Sequence, residues 1–107
     1  MERQAVALLF DYYGDLLTSK QREYCDLYYN QDFSLSEIGE QVGISRQGVH
    51  DALSHAEAAL AAFEQALGCV KRDTAILAAL EPLLHHPDGQ VQACAREIVQ
   101  ILQANRE

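Results

Sequence analysis

The chain is short of positive charge. Its 107 residues hold 8 Lys and Arg against 16 Asp and Glu, a net charge of −8. Such a surface repels polyanions, so strong non-specific binding of DNA by bulk charge is excluded, and any nucleic-acid contact must come from a local site working against the global field. No apolar run approaches the roughly 18 residues that a membrane span requires. Cysteine is sparse: Cys25, Cys69 and Cys94 are widely spaced, odd in number and form no C-x-x-C pair. That excludes a disulfide framework and predicts reduced, partly buried thiols. No glycine-rich phosphate loop, G-x-S-x-G elbow or H-E-x-x-H pair occurs, so the expectation is no catalytic residue, no cofactor and no metal site. The start, Met1-Glu2-Arg3-Gln4, lacks a basic head followed by a long apolar run. The expectation is therefore a cytoplasmic protein without a membrane partner.

Strand-like alternation is also missing. Apolar residues recur at three and four, which predicts an all-α fold. Val6, Leu9, Phe10 and Tyr13 form one stripe of a first helix, with Gly14 as its stop. A second helix opens at Thr18 or Ser19 and carries Tyr24, Leu27 and Tyr28 on one face. Ser34-Leu35-Ser36-Glu37 is a reciprocal capping box opening a short third helix, with Leu35, Ile38 and Val42 inward and Gly43 as its end. A fourth helix opens at Ser45. Its residues Val49, Leu53, Ala56, Leu60, Phe63, Leu67 and Val70 step by four and three, a heptad seam. From Ser45 to Leu67 it would run roughly 35 Å. A fifth helix is expected from about Asp73, with Pro82 late in its pattern, and His86-Pro87-Asp88-Gly89 separates it from a sixth. The five tyrosines bunch in the first two helices, where core or interface packing with the hydroxyl at the rim accounts for them.

Residues 35–53 carry the most information. Two short helices meet across a tight turn, with Ile38 and Val42 facing Val49 and Ala52. Gly39 puts no side chain where the helices touch, Gly43 supplies a permissive backbone at the bend, and Ile44 is expected to plug the gap beneath it. Small, then glycine, then apolar is a helix-turn-helix pattern. The expected organisation is a helix-turn-helix domain over 1–67, with the motif at about 35–53. A C-terminal helical extension follows over 68–107, as part of the same fold or as an oligomer interface.

The segment from Leu17-Thr18 through Leu53 resembles region 4 of sigma-70-type factors. More narrowly, Leu35-Ser36-Glu37-Ile38-Gly39 followed by Ser45-Arg46-Gln47-Gly48-Val49-His50-Asp51 is similar to the YlxM family, as is Phe10-Asp11-Tyr12-Tyr13-Gly14-Asp15-Leu16-Leu17-Thr18 before it. The resemblance covers about residues 6–67 and implies a sigma-70 region 4-like helix-turn-helix bundle, to which the apolar spacing adds a long fourth helix and a C-terminal helical hairpin. It also implies an accessory or regulatory role in the signal recognition particle pathway, with the particle's GTPase and its RNA as partners.

The residues themselves leave two further readings open. In one, the chain is a DNA-binding transcription regulator. Ser45 caps the recognition helix, Arg46 holds a phosphate or a guanine edge, Gln47 pairs with adenine or a backbone oxygen, and His50 lies one turn on along the same exposed face. In the other, the helix-turn-helix is a protein-interaction scaffold without nucleic acid. Residues 34–66 hold 5 acidic residues and 1 basic one. The nearby fixed cations are Arg46, Lys20 and Arg22, against the roughly 6–10 phosphates a specific complex neutralises. The heptad seam either packs within one subunit or pairs with a second copy, and a homo-oligomer through the long helix is the expectation.

Overall fold

The computed structural model describes residues 1–104. They form six α-helices and, among the described residues, no strand: α1 (Arg3–Tyr13), α2 (Ser19–Cys25), α3 (Leu35–Val42), α4 (Arg46–Leu67), α5 (Cys69–Leu84) and α6 (Gly89–Ala104). The all-α fold expected from the three-and-four spacing is thus the observed one. The chain divides into two compact units, Met1–Leu67 and a second beginning at Gly68.

In the first unit α4 is contacted by α1, α2 and α3. All four residues of the α1 stripe, Val6, Leu9, Phe10 and Tyr13, are buried. A short 3-10 turn, Gly14–Leu16, follows α1. Thr18 then opens α2 with a full capping box, its hydroxyl accepting from the Gln21 N–H while the Gln21 side chain accepts from the Thr18 N–H. The end of α2 widens into a π-turn, Asp26–Asn30, whose closing bond runs from the Gln31 N–H to the Asp26 carbonyl at 3.1 Å. Arg3 ties α1 to this segment. Its guanidinium lies 4.4 Å from the Tyr28 ring centroid, donates to the Tyr28 carbonyl and pairs with Asp32 at 3.0 Å.

The heptad seam of α4 divides in two. Val49, Leu53, Ala56 and Leu60 are buried within this unit. Phe63 is half-buried against the Tyr13 ring, at 6.1 Å between centroids, and Leu67 is 59% exposed. The seam's first four positions thus serve the core of their own unit. Gly68 takes a left-handed conformation (φ 65°) and ends α4. Helix resumes at once, so α5 begins at Cys69 rather than near Asp73, and Val70 belongs to α5 instead of the seam.

The second unit is a helical hairpin of α5 packed on α6. Leu80 and Ala95 are its buried apolar residues. Pro82 sits in the last turn of α5, and the helix continues through it to Leu84. The connection is held by Asp88, whose carboxylate accepts from the Gln90 N–H at 2.8 Å, and by Gln92, whose amide donates to the His86 carbonyl at 2.7 Å.

Candidate nucleic-acid and protein interface

The helix-turn-helix corner is built from backbone outward. Ser34 and Glu37 close the capping box of α3: the Glu37 N–H donates to Ser34 Oγ at 3.1 Å and the Ser34 N–H to Glu37 Oε1 at 2.9 Å. The backbone N–H of Ser34, then its side chain, holds the Glu37 carboxyl below the usual carboxylate range. Its contribution to folding is therefore present above its unfolded pKa and is lost as pH falls through the lower folded value. At the other end of α3, Gly43 has φ 79°, and the N–H groups of Gly43 and Ile44 both donate to the Gly39 carbonyl, at 2.9 and 3.0 Å. This is a left-handed C-terminal cap, and it turns the chain within three residues. A Cβ on Gly39 would stand 2.7 Å from the Ile44 carbonyl oxygen. The close approach expected at Gly39 is real, and its partner is the backbone of the turn. Ile44 departs from expectation. It is 40% exposed, with its side chain beside Gly48, so it does not form a buried plug beneath the corner. Ile38 of α3 and Val49 of α4 are fully buried.

Ser45 caps α4 as its sequence position implies. Its Oγ accepts from the Gly48 N–H at 3.0 Å, and its carbonyl accepts from the Val49 N–H at 3.0 Å. Ser45→Ala is expected to lower stability by about 1 kcal/mol, a fall of about 5 °C in Tm for a domain of this size. Thermal unfolding followed by circular dichroism checks it.

Ser45, Arg46, Gln47 and His50 all lie exposed on this edge. Their electrostatic setting is less favourable to a polyanion than their identities suggest. Gln47 donates its amide to Asp51 Oδ1 at 2.9 Å, and His50 Nδ1 stands 3.5 Å from the same oxygen. Asp51 thus engages two of the four reading-edge side chains and puts a carboxylate among them. Arg46 makes no ion pair among the described residues. Of the unit's other cations, Arg3 is paired with Asp32, and Arg22 lies 3.7 Å from Asp15. Arg46 and Lys20 remain, two where three were counted from sequence. The unit carries 11 acidic and 4 basic side chains, a balance of −7.

Behind the edge, two tyrosine hydroxyls reach back to α4. Tyr29 donates to Glu57, and Tyr13 donates to Glu64 at 2.6 Å. Burial, then the bond to Glu57, pushes the Tyr29 hydroxyl far up from its ordinary value. The Cys25 thiol beside it is pushed up to about 11, by burial first and the Glu57 charge second. The two hydroxyls tie α1 and the Asp26–Asn30 turn to α4, and the Cys25 thiol is buried. Among the described residues no group of three or more His, Cys, Asp or Glu is placed to hold a metal ion. No described helix is long and apolar enough to cross a membrane.

A capped α3, a three-residue glycine turn and an exposed start of α4 together define a helix-turn-helix protein. The comparison with known families agrees. Residues 1–97 match the family UPF0122, described as "Putative helix-turn-helix protein, YlxM / p13 like". The chain belongs to this family. It is 51% identical over 78 residues to a UPF0122 protein of Thermoanaerobacter sp. (strain X514), covering 73% of this chain and 67% of that one. A UPF0122 protein of Symbiobacterium thermophilum is 43% identical over 101 residues, 94% of each chain. One from Bacillus licheniformis is 45% identical over 85 residues, 79% of each.

Proposed function

We propose that this chain is a non-catalytic, cytoplasmic accessory or regulatory factor of the signal recognition particle pathway. Its helix-turn-helix edge engages the particle's GTPase, a protein surface, in preference to nucleic acid. The resemblance at residues 10–18 and 35–51 supports the pathway. The charge of the edge supports the class of partner, and one observation carries it: Asp51 stands among the reading side chains and engages Gln47 and His50. With two unpaired cations, binding to a duplex would have a log–log salt slope of only about −2, against −5 or steeper for a protein neutralising 6 or more phosphates.

The test is equilibrium binding of the purified chain to the purified GTPase, to the particle's RNA and to a random DNA duplex, each across a salt series. Saturable binding of the GTPase with a shallow salt dependence is the expected result. No binding of the GTPase defeats the proposal. Asp51→Lys is expected to raise affinity for the duplex about tenfold at low salt, because it removes a repelling carboxylate and frees Gln47.

A second reading has one specific observation in its favour, the exposed and unpaired Arg46 at the first position of α4. There the chain is a DNA-binding transcription regulator with Arg46 and Gln47 in the major groove. Sequence-selective duplex binding with a steep salt slope, lost in Arg46→Ala, would select it.

A further inference from the structure

The hairpin of α5 and α6 leaves apolar surface open on one side. Leu83 is 40% exposed, Ile98 41% and Ile101 58%. Leu83, Val91, Cys94 and Ile98 line a groove of about 330 Å³ between the two helices. Helical units below about 40 residues rarely hold together on their own core, and oligomerisation is one of the usual remedies. Here the buried apolar residues are Leu80 and Ala95.

Three observations identify a second copy of this chain as the occupant. The first is the spacing of the α6 stripe. Val91, Cys94, Ile98 and Ile101 step by three, four and three, which reads the same in both directions. Laid antiparallel on itself, α6 sets Val91 against the partner's Ile101 and Cys94 against the partner's Ile98, apolar on apolar throughout. The midpoint of the stripe also falls near the midpoint of Gly89–Ala104, so the helices overlap along their full length. A two-fold interface requires this self-complementarity, whereas a foreign helix does not.

The second is charge. Residues 68–107 carry 5 acidic and 4 basic side chains, a balance of −1, so two hairpins approach almost without repulsion, unlike two copies of the first unit at −7. The third is area. Helices of 16 residues are about 24 Å long, and two side by side are about 20 Å wide. That is a flat footprint of about 500 Å², roughly three-fifths of the about 800 Å² of accessible surface each partner contributes to a stable dimer, with side-chain relief adding to it.

We propose that α6 pairs antiparallel with α6 of a second copy, joining two hairpins into a four-helix bundle. The chain is then a dimer held by its second unit, with two helix-turn-helix units per assembly.

Sedimentation equilibrium of the full chain is the test. The expected mass at tens of micromolar is twice the 11.9 kDa of one chain. Ile98→Glu, or separately Ile101→Glu, sediments as a single chain with unchanged helix content, since both positions are exposed and the substitutions leave the fold intact. The dissociation constant rises roughly a hundredfold or more. Alkylation of Cys94 gives a readout without substitution in the groove. It slows at least about tenfold at dimeric concentration relative to dilute protein, and not in Ile98→Glu. A single-chain mass at every concentration up to about 0.5 mM overturns the proposal. So does a dimer that survives Ile98→Glu and Ile101→Glu but is broken by Leu67→Glu at the end of α4.

Discussion

Gly39→Val is expected to lower the stability of the first unit by about 3 kcal/mol or more. Most glycine replacements within helices are mild, or even favourable, because they restrict the unfolded chain. This one is different because the obstacle cannot swing aside. Any Cβ at position 39 meets the carbonyl oxygen of Ile44 at 2.7 Å, and that oxygen belongs to the three-residue turn joining α3 to α4. Relief requires the two helices to separate, which would uncover Ile38 and Val49, both at 0% exposure. Cys25 reports the opening. It is fully buried and its thiol is pushed up to about 11, so it reacts with thiol reagents only when the unit opens. The wild-type chain should label there slowly and the variant many times faster, alongside a lower denaturation midpoint. Ala at the same position meets the same oxygen and should also destabilise, by less.

Leu60→Ala should cost about 2–5 kcal/mol. Leu60 is fully buried in α4, the helix that α1, α2 and α3 all contact, and it is the last fully buried position of the seam. Removing its side chain leaves a void that the surrounding helices fill only in part, so both the transfer and the cavity terms count. Leu67→Ala is the matched control. It lies seven residues further along the same seam and is 59% exposed, so its truncation should change stability by less than about 0.5 kcal/mol. Denaturant unfolding of both variants checks the pair. Equal losses would mean that the seam is buried along its whole length.

The corner itself was legible in the sequence because its rules are local. The capping box at Ser34 and Glu37, the left-handed Gly43 and the cap at Ser45 each act within four residues, and spacing alone reveals them. The inward stripe of α1 was legible for the same reason. What escaped was set by tertiary placement or by choices among rotamers. Ile44 is apolar and next to the bend, yet it is 40% exposed, with its side chain beside Gly48. The boundary after Leu67 was legible, but the apolar pattern runs on across Gly68, so Val70 read as the last position of the α4 seam although it belongs to α5. Gln47 and Asp51 are four apart on one helix face, a spacing at which side chains meet, but nothing local decides whether such a glutamine bonds its neighbour or a ligand. Arg3, Tyr28 and Asp32 are brought together only by the fold.

The wide turn at Asp26–Asn30 adds a residue to what would otherwise be an ordinary helical end. Each residue of an α-helix advances the chain by about 100°. Deleting a single residue there would let the helix wind regularly, and everything downstream would be redirected by that angle. The turn therefore acts as a phase adjuster between the N-terminal scaffold and the exposed edge of the helix-turn-helix, and a one-residue deletion in it should misdirect that edge while every residue that forms it remains in place.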